Sequence, residues 1–334
     1  MINIPIVFAF SNKYALPGWV SIASLIKTAK AKTRYLIYVI YDDLDQDNIQ
    51  NILLLVKNYN HDINFIDIST KLKKIDPFIE NQNWPKILYA RLYITEILPN
   101  YQKIIVSDVD VLFKKDLRDI FNKDLSRYHY GLVAAEKRIQ NNLGHKRYDF
   151  YENKYIYYSG FVIYNTIKMK EDKICEKFDI ALSDYKNILK NKMTDLILLN
   201  MCSNSIYRIP FNYCVLESLI LKKNVKNISE YIWLSQLYSD NELESFRENP
   251  SIIHYSGHGE HRDRPWNRLS PPGEYLNYIY VSPYKNQWLA ERNLKKIIRS
   301  NNLFLHISNS RIYKNYLKKF FEILSLVIIK YFYK

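Results

Sequence analysis

Apolar residues in the first hundred positions fall into short runs separated by periodic segments. Ile4 to Phe10 is an apolar run of strand length, and Pro17-Gly18 is expected to break the chain after it. Trp19, Ile22, Ala23 and Ile26 recur at helical spacing, so Trp19 to Lys27 reads as a helix. Tyr35 to Tyr41 reads as a second buried strand, Asp47 to Tyr59 as a helix, and Ile63 to Ile68 as a third strand. A helix over 85–98 leads to a fourth strand, Lys103 to Val106. Strand-like runs return at Gly131 to Ala135 and Ile156 to Tyr164, and helical patterns at Lys168 to Tyr185 and Met193 to Cys202. Beyond residue 205 the pattern is irregular and punctuated by proline. Alternating strands and helices predict an α/β layer around a mostly parallel sheet. In such sheets ligands gather at the carboxyl ends of the strands.

Composition narrows the class. The chain has 334 residues, 48% apolar and 25% charged, which suits a globular protein with a core. Only 7 glycines are present, so a Gly-rich phosphate loop is not expected to carry the function. The three cysteines, Cys175, Cys202 and Cys214, are odd in number and lack a CxxC pair, which argues against a cysteine metal framework or a disulfide fold. No basic segment precedes the first apolar run, so a signal peptide is not expected. No stretch reaches the roughly 20 apolar residues that span a bilayer.

Two carboxylates stand at the exit of the fourth strand, in Lys103-Ile104-Ile105-Val106-Ser107-Asp108-Val109-Asp110-Val111-Leu112-Phe113. On an extended backbone, residues two apart point to one side, so Asp108 and Asp110 are expected to converge. Two ionised carboxylates in a poorly solvated place repel each other and lose hydration. A divalent cation relieves both costs, and oxygen ligands suit Mg²⁺ or Mn²⁺. Such a cation would bridge the phosphates of a nucleotide-sugar and neutralise a departing diphosphate. The bland alternative is a pair of strand-end carboxylates capping a turn or binding a nearby Lys. A further alternative is a haloacid-dehalogenase-type phosphatase with Asp108 as nucleophile, although its usual early position and later Gly-Asp motif are missing. Downstream, the short apolar run Ile252-Ile253 would deliver His254 as a third ligand, favouring Mn²⁺. Asp42-Asp43-Leu44-Asp45-Gln46-Asp47 looks like a calcium loop but lacks the required Gly and Glu, so it reads as a turn with Asp45 or Asp47 as helix N-cap.

Together, the DxD after an apolar strand, the later His254-Tyr255-Ser256-Gly257 and Arg264-Pro265-Trp266 resemble the family 8 glycosyltransferases. Ile6 to Tyr14, Tyr89-Ala90-Arg91-Leu92 and Tyr158 to Asn165 are similar to further segments of that family, and the likeness extends over most of residues 4 to 270. The resemblance implies a GT-A fold, a mixed, mostly parallel sheet flanked by helices, and retaining hexose transfer from a UDP-sugar. It implies Mn²⁺, or Mg²⁺, on Asp108, Asp110 and His254. Ala9, Ser11 and Tyr14 would face the uridine, Arg91 the sugar or diphosphate, and Ser159 would belong to the donor-binding set. Gly257 and Arg264 would meet the diphosphate, and Asp195 the donor sugar near its anomeric carbon. Ser11 and Tyr158 depart from the family's usual Asp and Asn, and the link from Gly257 to Pro265 is longer than usual.

The net charge is +14, and the last fifty residues hold eleven basic residues against two acidic ones. From Arg311 on, cations alternate with bulky apolar residues, which suits a helix lying on an anionic membrane, with a C-terminal helix docked on the protein's own core as the alternative. Its apolar load is wrong for a nucleic-acid arm. The expected organisation is a catalytic domain over 1–280 and a basic, amphipathic, membrane-associating helical tail over 281–334. The expected activity is transfer of galactose or glucose to a lipid-linked acceptor such as lipooligosaccharide or lipopolysaccharide core. The expected place is the cytoplasm, peripheral on the inner face of the membrane. A non-catalytic membrane-binding module is the alternative of another class.

Overall fold

The computed structural model describes residues 1–69, 86–137, 154–185, 195–256 and 263–300. Its centre is a seven-stranded sheet in the order β3-β2-β1-β4-β7-β6-β8. The strands are β1 (Ile2–Ala9), β2 (Thr33–Tyr41), β3 (Asp62–Asp67), β4 (Lys103–Ser107), β6 (Tyr130–Lys137), β7 (Tyr155–Asn165) and β8 (Ile206–Ile209). Strands β3, β2, β1 and β4 run parallel. β7 is antiparallel to both β4 and β6, and β6 is parallel to β8. The sheet is therefore mixed. β1 lies in its interior and is buried on both faces from Ile4 to Phe8, which is why the sequence shows an unbroken apolar run there.

A second, three-stranded sheet has the order β5-β10-β9, with β5 (Val111–Phe113), β9 (Val215–Leu216) and β10 (Ile252–His254). The chain passes from β4 of the large sheet to β5 of the small one through Asp108, Val109 and Asp110. Both carboxylates thus sit at a bend between two sheets and not on a continuing strand.

Pro17-Gly18 does not break the chain. Both lie inside the helix Ala15–Thr28. Pro17 falls in the first turn, where its missing N–H has no intrahelical partner to lose. Gly18 is there for space, since a Cβ would come within 2.7 Å of the Phe10 ring. The expected helix over 85–98 is instead two short helices, Lys86–Ala90 and Ile94–Ile97, joined by a 3₁₀ turn at Arg91–Tyr93. The expected helix over Lys168 to Tyr185 is divided at Lys173, whose φ of 54° ends the first piece. Asp45 caps the helix Gln46–Leu53 by accepting the Asn48 N–H at 2.8 Å.

The main core joins the helices Thr166–Glu171, Ile174–Tyr185 and Asp195–Met201 to the β4-β7-β6 face, through Ile104, Val106, Val162, Tyr164, Phe178 and Leu198 among others. The chain divides into two compact units, one of Met1–Asn267 with Pro271–Pro283, the other of Arg268–Ser270 with Tyr284 onward. In the second unit Lys285–Ser300 is helical. The basic pattern from Arg311 lies outside the described residues, as does Gly257. Among the described residues no helix is long and apolar enough to cross a membrane.

Candidate active site

The site is built where β1 and β4 end. Their parallel register pairs Phe8 with Ser107, which sets Ala9 beside Asp108. Backbone bonds then fix the bend: Asp108 N–H donates to Gly160 O at 2.9 Å, and Tyr255 N–H to Asp110 O at 2.8 Å. Antiparallel pairing places His254 opposite Val111, next to Asp110. The result is convergence. His254 Nε2 stands 3.3 Å from Asp110 Oδ1 and 3.6 Å from Asp108 Oδ2. One ligand atom from each of the three lies within 4.8 Å of the other two.

Two carboxylate oxygens and an imidazole nitrogen make a donor set that suits Mn²⁺ or Mg²⁺. Neighbouring ligands bound at about 2.1 Å to an octahedral cation stand about 3 Å apart, close to the 3.3 and 3.6 Å that separate His254 Nε2 from the two carboxylates. The residues therefore fit a divalent ion. Protein cations also face these carboxylates, Arg91 at Asp108 and Arg264 at Asp110. Arg264 pairs with Asp110 at 2.7 Å and also donates to Tyr255 O. Burial alone would push the Asp110 carboxyl up, but His254 and Arg264 beside it hold it below the usual range. Burial pulls the His254 imidazole down, yet Asp110, with help from Cys214, raises it well above its ordinary value.

Arg91 forms the other wall. Its 3₁₀ turn carries it into the interior, where it is 3% exposed. One guanidinium nitrogen pairs with Asp108 and lies 3.4 Å from Asp195 Oδ2, while the other donates to Ser159 O at 2.5 Å. Asp195 opens the helix Asp195–Met201 and is buried. Burial pushes its carboxyl up to about 6, Arg91 opposes that rise and Asp108 adds to it. Its Oδ2 is buried and has no hydrogen-bond partner among the described residues.

On the β1 side, Ser11 precedes a short 3₁₀ turn, Asn12–Tyr14, and Tyr14 closes it. Asn12 latches this turn to the exit of β2, donating its N–H to Asp43 Oδ1 and accepting from Asp45 N–H, both at 2.9 Å. The Tyr14 ring packs edge-on against Trp266 at 6.0 Å, and Trp266 and Tyr255 both pack on Tyr275. Ala9, Ser11, Tyr14, Arg91, Asp108, Asp110, Ser159, Asp195, His254 and Arg264 are thus all placed in the described structure.

Sequence reasoning missed Gly160 and Cys214. A Cβ on Gly160 would lie 2.6 Å from His254 Cε1 and 3.1 Å from Asp108 Oδ2. The signal for it was a glycine inside a strand pattern in a glycine-poor chain. No sequence signal pointed to Cys214.

A model of glycosyl transferase family 8 matches residues 5–270. The chain belongs to glycosyl transferase family 8. A putative glycosyltransferase of Haemophilus influenzae is 27% identical over 248 residues, covering 71% of this chain and 72% of that protein. The lipopolysaccharide 1,2-glucosyltransferase of Escherichia coli is 23% identical over 284 residues, covering 84% and 78%. Among solved structures, the galactosyltransferase LgtC in complex with donor and acceptor sugar analogues aligns with a TM-score of 0.62 at 18% identity, covering 84% of this chain and 96% of that one. The bifunctional glycosyltransferase WbbM aligns with a TM-score of 0.66 at 18% identity, covering 86% of this chain. This chain spans about half the length of WbbM (51%). At such identities the structural likeness concerns the fold, which is GT-A. The phosphatase and the non-catalytic module give way to a glycosyltransferase.

Proposed function

We propose that the protein transfers a hexose, galactose or glucose, from a UDP-sugar to a saccharide acceptor with retention of anomeric configuration. The observation that carries this reading is the convergence of Asp108, Asp110 and His254 at the carboxyl end of β4. A divalent cation held there, Mn²⁺ by preference, would supply positive charge to the diphosphate leaving group.

The remaining roles fall to the chain. Arg91, fixed by Asp108 and Ser159 O, would orient the donor between the carboxylates. Arg264, paired with Asp110, would place its charge near the departing phosphate. Asp195 Oδ2, buried and without a hydrogen-bond partner among the described residues, would accept from a donor-sugar hydroxyl and stabilise positive charge developing at the anomeric carbon. The bond from that carbon to the diphosphate oxygen breaks while the acceptor oxygen attacks the same face. The acceptor's proton passes to the departing diphosphate. No strong general base is required.

The acceptor in this reading is a lipid-linked oligosaccharide such as lipooligosaccharide or lipopolysaccharide core. The Escherichia coli relative, named for lipopolysaccharide glucosylation, supports that class. The alternating basic and bulky apolar residues after Arg311 support peripheral attachment to the inner face of an anionic membrane. The test is incubation with UDP-galactose or UDP-glucose, Mn²⁺ and lipooligosaccharide core, with NMR of the product's anomeric proton. An α-linked hexose is expected. A β-linked product would overturn retention, and no transfer from either donor would overturn the donor class.

A further inference from the structure

We propose that Cys214 is a positioning residue, whose thiol holds His254 Nδ1 and so aims Nε2 at the cation site. The inference rests on the metal-binding reading of Asp108, Asp110 and His254. The His254 ring has two occupied edges. Nε2 faces Asp110 at 3.3 Å and Asp108 at 3.6 Å, while Nδ1 lies 3.3 Å from Cys214 Sγ on the opposite side. Both residues are buried, Cys214 at 1% exposure and His254 at 7%.

The backbone places the thiol. Cys214 N–H donates to Phe211 O at 2.8 Å, closing the turn Phe211–Tyr213. The next residue begins β9, which pairs in parallel with β10 so that Leu216 stands beside His254. Cys214 is two residues ahead of Leu216, on the segment adjoining the imidazole. Gly160 leaves room for the ring on another side, since an added Cβ there would stand 2.6 Å from His254 Cε1. With Nδ1 on the thiol, the ring turns Nε2 to the carboxylates.

The chemistry of ligation makes the Nδ1 contact matter. A nitrogen that binds a cation carries no proton, so in the bound state the imidazole proton resides on Nδ1. Nδ1–H then donates to Sγ. A thiol both donates and accepts, weakly in each role, so it serves Nδ1 in either tautomer. Metal-bound histidines usually give this proton to a carboxylate, a carbonyl or water, and losing such a partner typically costs 10- to 100-fold in metal affinity. Cys214 fills that place with sulfur. It is not a ligand itself, because it lies beyond the far edge of the ring.

The test is Mn²⁺ binding to the full chain, read by electron paramagnetic resonance of the free ion. Wild type, Cys214→Ser, Cys214→Ala and Cys214→Val are compared, with His254→Ala as reference and thermal melts without metal as a folding control. Wild type is expected to bind and His254→Ala to bind far more weakly. Cys214→Ala and Cys214→Val should bind about 10-fold or more weakly than wild type, whereas Cys214→Ser, which keeps a donor and acceptor, stays within about threefold. Should alanine fail to fold, valine, closer in volume, gives the same comparison. Wild-type affinity in a folded alanine or valine variant would overturn the positioning role and leave the metal site standing. Equal losses in serine and alanine would also overturn it, reducing the thiol to packing. A wild type that binds no Mn²⁺ would contradict the metal reading and this inference with it.

Discussion

Gly160 and His254 are so closely packed that a single added methyl group would stand 2.6 Å from the imidazole Cε1. The same methyl would lie 3.1 Å from Asp108 Oδ2. Gly160→Ala is therefore expected to displace two proposed cation ligands at once. Displacement of about 1 Å at a reacting centre costs about 100-fold in rate, and overpacking costs about 1–3 kcal/mol of stability. Turnover of a UDP-sugar across Mn²⁺ concentrations, paired with urea unfolding, checks this. Unchanged Mn²⁺ dependence would show that the ring has room to move.

Arg91 joins Asp108, Asp195 and the Ser159 carbonyl from a nearly inaccessible position. Its removal in Arg91→Ala leaves two carboxylates facing an emptied space, a defect worth about 3–5 kcal/mol in buried pairs. Arg91→Lys restores charge but not the planar fork, so it should recover much of the stability and little of the activity. Urea melts and donor turnover separate the two effects. Full activity in the lysine variant would remove the proposed orienting role.

Asp195 sets a pH dependence for the metal-free protein. Its folded carboxyl is raised from 3.8 to about 6, chiefly by burial. The stabilising contribution of its neutral form is complete below 3.8 and is lost as pH rises through about 6. Asp195→Asn stays neutral throughout and should lack this decline, gaining on wild type by on the order of 3 kcal/mol between pH 4 and pH 7.5. The same variant should lose at least 100-fold in transfer. Parallel stability curves for the two proteins across that range would exclude a raised Asp195.

Gly18 offers a test of packing against propensity. Alanine is favoured over glycine by about 1 kcal/mol in a helix interior. Here the Cβ would meet the buried Phe10 ring at 2.7 Å, so Gly18→Ala should destabilise by about 1–2 kcal/mol. A thermal melt decides the sign, and a stabilised variant would show that Phe10 yields readily.

Much of the layer order was legible because it depends on local pattern. The Ile4 to Phe10 run marked a doubly buried strand, and Ile252-Ile253 announced the strand that delivers His254. The sequence offered Asp45 or Asp47 as the helix cap, and the structure selects Asp45. The failures came from tertiary contacts. Pro17-Gly18 resembled a break, but its helix position and the Phe10 ring accommodate both residues. The helix expected over 85–98 gives way to a 3₁₀ turn at Arg91, the residue that reaches Asp108 and Asp195. Asp108 and Asp110 were legible as a pair, but their meeting at a junction of two sheets was not. Cys214 was invisible because its partner lies 40 positions away across a strand pairing.

The central claim is that Asp108, Asp110 and His254 hold a divalent cation needed for UDP-sugar chemistry. UDP release from UDP-galactose and UDP-glucose, with Mn²⁺ and with chelator, in wild type and Asp110→Asn, tests it most directly. Wild type should turn over at least one donor only with the metal, and Asp110→Asn should fall by at least about 100-fold at any Mn²⁺ concentration. Turnover that survives chelation, or an unimpaired Asp110→Asn, would contradict the account.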